Sequence, residues 1–194
     1  MIVKENFIPR AEELFHNTGI NITAKGRKQL GAIVGTYEFK KEFISKKVEK
    51  WIEQIELLSK IGNIDPHSSY IAYTRCFKHK FGYIMRTVPQ IESLLKPLDA
   101  VIDEKFIPSL TNGQTLTQNE RSLFALHINK GGMGISIPSK LCDQQYNDSR
   151  EITASLTKDI MEQNENYKMD TSQQKQIKSE IRSKKSRRIQ KRNR

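Results

Sequence analysis

The sequence predicts a mainly α protein: a bundle of about five helices with a small N-terminal β-hairpin and a basic C-terminal tail or helix. Three observations carry that expectation. Apolar residues recur at three- and four-residue steps from Phe43 through Val88, the period of buried helical faces. Before them stands a short glycine-framed stretch of strand-like composition, and after them the charge changes abruptly. Of a net charge of +11, the last 25 residues hold ten Lys/Arg against two Asp/Glu. The expected divisions are 1–36, 37–165 and 166–194.

The first element is a short helix over 9–16, with Pro9 at its start and Gly19 beyond its end. "INITAKG" alternates apolar and polar residues and reads as a strand ending at Gly26, with "RKQLGAIVG" as its hairpin partner. From 37 to 61 the period becomes helical, with Phe43, Ile44, Val48, Trp51, Ile52, Ile55, Leu58 and Ile61 on one face. "NIDPH" makes a turn into a second long helix, whose stripe is Tyr70, Tyr73, Thr74, Phe77, Phe81, Ile84 and Val88. Pro89 stops it, and the short link makes the two helices antiparallel neighbours. A third helix covers 90–110 with Pro97 as a kink or break. Thr117 and Glu120 stand at capping-box spacing and open a short fourth helix. "NKGGMGISIPSK" is an extended link, and a fifth helix follows over 138–163. A polar linker then leads to the tail.

Several chemistries are excluded by spacing. Neither glycine-rich stretch has the Gly-Lys-Ser/Thr ending of a P-loop or the strand-to-helix setting of a dinucleotide fingerprint. His16, His67, His79 and His127 are scattered, and Cys76 with His79 lacks a second pair to complete a zinc site. Asp99, Asp103 and Glu104 read as the solvated face of a helix, so no catalytic or metal-binding residues are assigned. Cys76 and Cys142 read as reduced thiols of an intracellular protein, nuclear or cytoplasmic, and no apolar run is long enough for a membrane span.

Cations are the positive signal. In the tail, Lys178, Arg182, Lys185, Arg188 and Arg192 fall on one side of a helix and could track phosphates, while "RSKKSRR" also fits a nuclear-localisation signal. A second cluster occupies the paired helices: Lys40, Lys41, Lys46, Lys47 and Lys50 on one, and Arg75, Lys78, Lys80 and Arg86 on the other. Tyr73, Phe77, Phe81 and Tyr83 interleave with the latter group, a spacing that serves a core or a base-stacking surface. The expected nucleic-acid-binding residues are Lys46, Lys47, Lys50, Arg75, Lys78 and the five tail cations.

Taken in order, "INITAKGRKQLGAIVG", "KKVEKWIEQIELLSKI", "DPHSSYIAYTRCFKHKFGYIMRTVP", "LLKPLDAVIDEKFIPSLT" and "NKGGMGISIPSKL" resemble the region after the catalytic strands of retrotransposon-type reverse transcriptases from invertebrate animals. In that family a lysine-bearing strand runs into a Leu-Gly turn, the primer grip, and a helical thumb follows. The resemblance covers roughly residues 1–163 and places the primer grip at Lys28, Gln29, Leu30 and Gly31. It implies that Leu30 is a packing anchor and that Gly31 lets the backbone approach a primer end. It makes 1–36 a palm-remnant helix and hairpin and 37–165 a thumb-like helical domain.

The family's aspartate-bearing strands would lie before residue 1, so the chain is expected to be non-catalytic. No cofactor is expected, since Mg belongs to that missing centre. The implied partner is duplex or RNA–DNA hybrid nucleic acid, bound without sequence preference. Two other expectations stand beside it: a helical interaction module that binds a protein partner, and a decayed product without activity.

Overall fold

The computed structural model describes residues 1–29, 31–163, 172, 175–181 and 183. The protein is mainly α, with one two-stranded antiparallel hairpin near the N-terminus. Its contacts divide it into two compact units, Met1–Asp143 and Gln144–Arg194. That division falls inside a helix, and the hairpin's Ile33 belongs to the same core as the helices of the first unit.

Helix α1 (Ile8–Phe15) carries Pro9 in its first turn, where the missing amide has no helical partner to lose. Strands β1 (Gly26–Gln29) and β2 (Ala32–Gly35) lie wholly within "GRKQLGAIVG". This corrects the expected pairing of "INITAKG" with the following segment. Gln29 pairs with Ala32, which leaves a two-residue connection whose second residue, Gly31, has φ 84°. Only here does the sequence offer a glycine at the second position of a two-residue turn. The segment before Gly26 instead forms a single parallel bridge, Ile2 to Thr23.

At the base of the hairpin Gly26 faces Gly35, both with φ 152°. A Cβ on Gly35 would lie 2.4 Å from the Lys25 carbonyl oxygen and 2.5 Å from Gly26 Cα. The two strands therefore close more tightly than any side chain permits.

Helix α2 (Tyr37–Gly62) begins at Thr36, whose hydroxyl accepts from the Phe39 amide at 3.3 Å. Ile44, Val48, Trp51 and Ile55 are buried as expected, but Ile61 is exposed. Ser59 and Gly62 take the buried positions of the last turn, where a Cβ on Gly62 would meet Ser109 Oγ at 2.4 Å. Backbone-close packing excludes a large residue there.

Helix α3 (Pro66–Ala72) starts from Asp65, whose carboxylate accepts from the Ser68 amide at 3.1 Å. It runs through a π-helical turn, Tyr73–Phe77, into α4 (His79–Thr87). Val88 is extended, as the residue before a proline should be. Contacts fix the direction against α2. Ser69 Oγ donates to the Leu58 carbonyl at 2.7 Å, and Trp51 meets Phe81 edge-on at 5.1 Å. The partner numbers fall as the chain rises, so the pair is antiparallel.

Helix α5 (Glu92–Val101) continues without a break through Pro97, then loosens into a second π-helical turn, Ile102–Phe106, and ends in α6 (Ile107–Leu110). Of the kink or break expected at Pro97, the break is absent. Ile44, Ile55, Tyr73, Leu95, Leu98, Ile102 and Phe106 are fully enclosed and form the centre of the core.

Helix α7 (Gln118–Ala125) has the expected capping box: Thr117 and Glu120 hydrogen-bond each other's backbone amides. Helix α8 (Pro138–Met161) follows a glycine-rich link.

That link is tied down. Tyr70 Oη donates to the Met133 carbonyl at 2.8 Å, and Ile135 is fully buried. Arg121, only 7% exposed, spans Asp103 at 2.5 Å, the Ile135 carbonyl at 2.6 Å and the Ser136 carbonyl at 3.2 Å. Asp99 accepts from the Ser139 amide at 3.4 Å, and burial pushes its carboxyl pKa up. Two of the three acids expected on a solvated face thus serve as tethers for distant segments, and only Glu104 is exposed. Among the described residues no helix is long and apolar enough to cross a membrane, and no group of His, Cys, Asp and Glu is arranged to hold a metal.

Candidate nucleic-acid interface

An open cleft of about 400 Å³ lies where the hairpin meets α2 and α4. Its strand-side wall is Lys28 and Gly31. The register decides which strand residues face it. Lys28 pairs with Ile33 and Arg27 with Val34, and directly opposed residues share a face. Ile33 is buried in the core while Val34 is exposed, so the face that anchors the hairpin is the one that carries Lys28 to the cleft. A one-residue slip would send Lys28 outward.

Helix α2 contributes Phe43, Lys47, Lys50, Trp51 and Gln54, a stripe at helical spacing. Helix α4 contributes Lys80, Tyr83 and Ile84. Two of the lysines are held over aromatic faces. Lys47 Nζ lies 5.7 Å from the Phe43 ring centroid and Lys80 Nζ 4.7 Å from that of Phe77. Lys80 also donates to Gln54 Oε1 at 2.9 Å. Four ammonium groups from three elements line the cleft, with no carboxylate among the described lining residues. Such a concentration of one sign of charge favours an anion.

The aromatic residues separate cleanly. Tyr73, Phe77 and Phe81 are buried core residues, whereas Tyr83 is 43% exposed and lines the cleft. A Cβ on Gly31 would lie 3.5 Å from Tyr83 Cε1, so the hairpin tip runs directly beside this ring.

Of the expected contact residues, Lys28, Gly31, Lys47 and Lys50 meet here. Gln29 is exposed outside the lining, and Leu30 lies outside the described residues. Lys46 is diverted: its Nζ is 2.6 Å from Glu42 Oε1 one turn back. That hydrogen bond and the attached charge raise the Lys46 pKa and lower that of Glu42.

Arg75 is exposed on the first π-helical turn, away from the cleft lining. Lys78 is half-buried, and a Cβ on Gly134 of the glycine-rich link would stand 3.7 Å from its Nζ. Burial and the nearby Arg75 lower its pKa. Lys178 is exposed on a helical segment of the second unit, while Arg182, Lys185, Arg188 and Arg192 lie outside the described residues. Lys80 and Tyr83 complete the site, although the sequence offered them only as members of a larger cluster.

The fold and cleft define a small, mainly α protein with a lysine-lined cleft beside a hairpin. No family model, curated protein or solved structure matches the chain.

Proposed function

We propose that the chain is a non-catalytic nucleic-acid-holding module, built like the primer-grip and thumb elements of a retroelement reverse transcriptase. The observation that carries this reading is the convergence of Lys28, Lys47, Lys50 and Lys80 on one cleft beside Gly31. The module grips phosphates of a duplex or RNA–DNA hybrid without reading sequence. It acts inside the cell, in the nucleus or cytoplasm, and the tail cations add sequence-tolerant contacts of the same kind.

Salt dependence tests it. Four phosphate contacts give a slope of about −3.6 in log K against log salt, or about a 150-fold loss between 50 and 200 mM. Fluorescence anisotropy with a labelled RNA–DNA hybrid measures that slope. Replacing the four lysines by glutamine should flatten the slope by about the same amount. An unchanged slope in that variant would remove the cleft from the contact surface. Nucleotide incorporation on a primed template with Mg would overturn the non-catalytic assignment.

A second reading is favoured by exposed Leu57, Ile61 and Ile64, which recur at four- and three-residue steps along the end of α2 and its following turn. In that case the module binds a protein partner. Replacing all three with serine would abolish the partner complex and leave the salt slope untouched.

A further inference from the structure

The cleft is too small for the ligand that the holding role brings to it. At about 400 Å³ it falls in the range of small-molecule sites, about 300–1,000 Å³. A duplex, with a major groove alone about 12 Å wide, can lie only across the mouth. Its interior base pairs are stacked on both faces and offer none to an aromatic side chain. Yet the cleft contains Tyr83, the exposed member of an otherwise buried aromatic series on the same helical stretch. An aromatic ring among lysines suits one nucleotide whose base is unstacked.

We infer that the cleft takes a single unpaired nucleotide of a nucleic-acid strand, its base against Tyr83 and its phosphates among Lys28, Lys47, Lys50 and Lys80. The inference rests on the holding role proposed above and narrows its ligand to single strands and frayed or overhanging ends. Each group has a distinct task. The lysines supply the salt-dependent attraction common to all strands. Tyr83 supplies the discrimination, because only an unpaired or terminal base exposes a ring face. Gly31 adds no side chain of its own against that ring, from which its Cβ would stand 3.5 Å. Trp51, the sole tryptophan of the chain, lines the same cleft and reports its occupancy by fluorescence.

The test uses the full chain with a fluorescein-labelled oligo(dT) of twelve nucleotides and a blunt twelve-base-pair RNA–DNA hybrid. The single strand should bind more tightly than the hybrid and change Trp51 emission as it saturates. Tyr83→Ala should weaken single-strand binding about tenfold and hybrid binding less than twofold. Tyr83→Phe, which keeps the ring, should retain the wild-type preference and serves as the folding control. An equal effect of Tyr83→Ala on both ligands, or none on either, overturns the inference while leaving salt-dependent hybrid binding as support for the holding role. Failure of both ligands to bind overturns the holding role itself. Competition by a free nucleoside triphosphate at equal molarity to the strand would identify a mononucleotide as the ligand and overturn the assignment to a strand.

Discussion

Replacing Arg121 should show how much of the fold depends on a single buried guanidinium. The side chain is 7% exposed and makes three hydrogen bonds, one to the Asp103 carboxylate and two to main-chain carbonyls of the glycine-rich link. Arg121→Met keeps the bulk and removes all three. The Asp103 side chain is 40% exposed and regains water, so its share is discounted to about 1 kcal/mol. The Ile135 carbonyl belongs to a fully buried residue and is left without its donor, at about 1–3 kcal/mol.

The expected loss is about 3 kcal/mol, a fall in Tm of about 6–12 °C for a chain of this size. Urea unfolding monitored by far-UV circular dichroism measures it. Arg121→Lys keeps the charge but not the planar fork, and should recover less than half of the loss. Asp103→Asn keeps an acceptor and should cost about 1 kcal/mol. A loss below about 1 kcal/mol for Arg121→Met would refute the reasoning. So would an Asp103→Asn loss as large as that of Arg121→Met, which would place the effect in charge and not in the tethered carbonyls.

Four further outcomes are expected. Gly35→Ala forces a Cβ onto the Lys25 carbonyl and should spring the hairpin, lowering nucleic-acid affinity as Lys28→Gln does while helical dichroism is retained. A thiol reagent at neutral pH should label exposed Cys76 rapidly and leave buried Cys142 unmodified, because burial, then the Asp143 charge, push the Cys142 thiol up to about 11; mass spectrometry of the two peptides decides it. Burial raises the Asp99 pKa, so its native form holds a proton more tightly than the unfolded chain, and ionisation weakens the fold as pH rises from about 4 through the raised value. The stability of Asp99→Asn relative to wild type should therefore increase from pH 4 to pH 7, and a decrease in paired urea titrations would contradict this. Tyr73 Oη is buried without a hydrogen-bond partner among the described residues, so Tyr73→Phe should be neutral or stabilise by up to about 1 kcal/mol in the same assay.

The helices were legible because burial imposes a period, and the stripes from Ile44 to Ile55 and from Tyr73 to Val88 are the core that formed. What the sequence concealed involves partners far along the chain. Asp99 reaches Ser139, 40 residues away, and Asp103 reaches Arg121, 18 away; neither acid has a local signal that separates it from solvated Glu104. The site was half legible for a different reason. Lys46 and Lys47 are neighbours about 100° apart on a helix, so only one can face the hairpin. Glu42, four residues before Lys46, was the available clue, since that spacing draws the ammonium along the helix surface. Tyr83 carried a clue of phase: it falls beside Ile84 and out of step with Phe77 and Phe81, as an exposed ring should. The hairpin was misplaced because alternation marks strands but not their partners; the turn, here with Gly31 at positive φ, decides pairing.

These parts differ in how firmly they are held, and the difference bears on how the cleft works. Helices α2 and α4 are held together by Trp51 against Phe81, ring centroids 5.1 Å apart, and Phe81 is backed on its own helical stretch by Phe77 at 5.4 Å. Among its described residues the hairpin has one buried apolar residue, Ile33, with the Phe39 ring close to Gly26 and the Tyr83 ring close to Gly31. Two strands alone are marginal in water, so its position depends on such contacts with the helices. Lys28 rides on this weaker element while Lys47, Lys50 and Lys80 ride on the rigid ones. An anion that bridges the two sets stabilises the docked hairpin by its own binding free energy, since it binds that arrangement better than the sprung one. Undocking and release are then a single event, and the Gly26–Gly35 closure, which lies outside the cleft lining on the strands that carry Lys28, belongs to the affinity of the site as much as the lysines do.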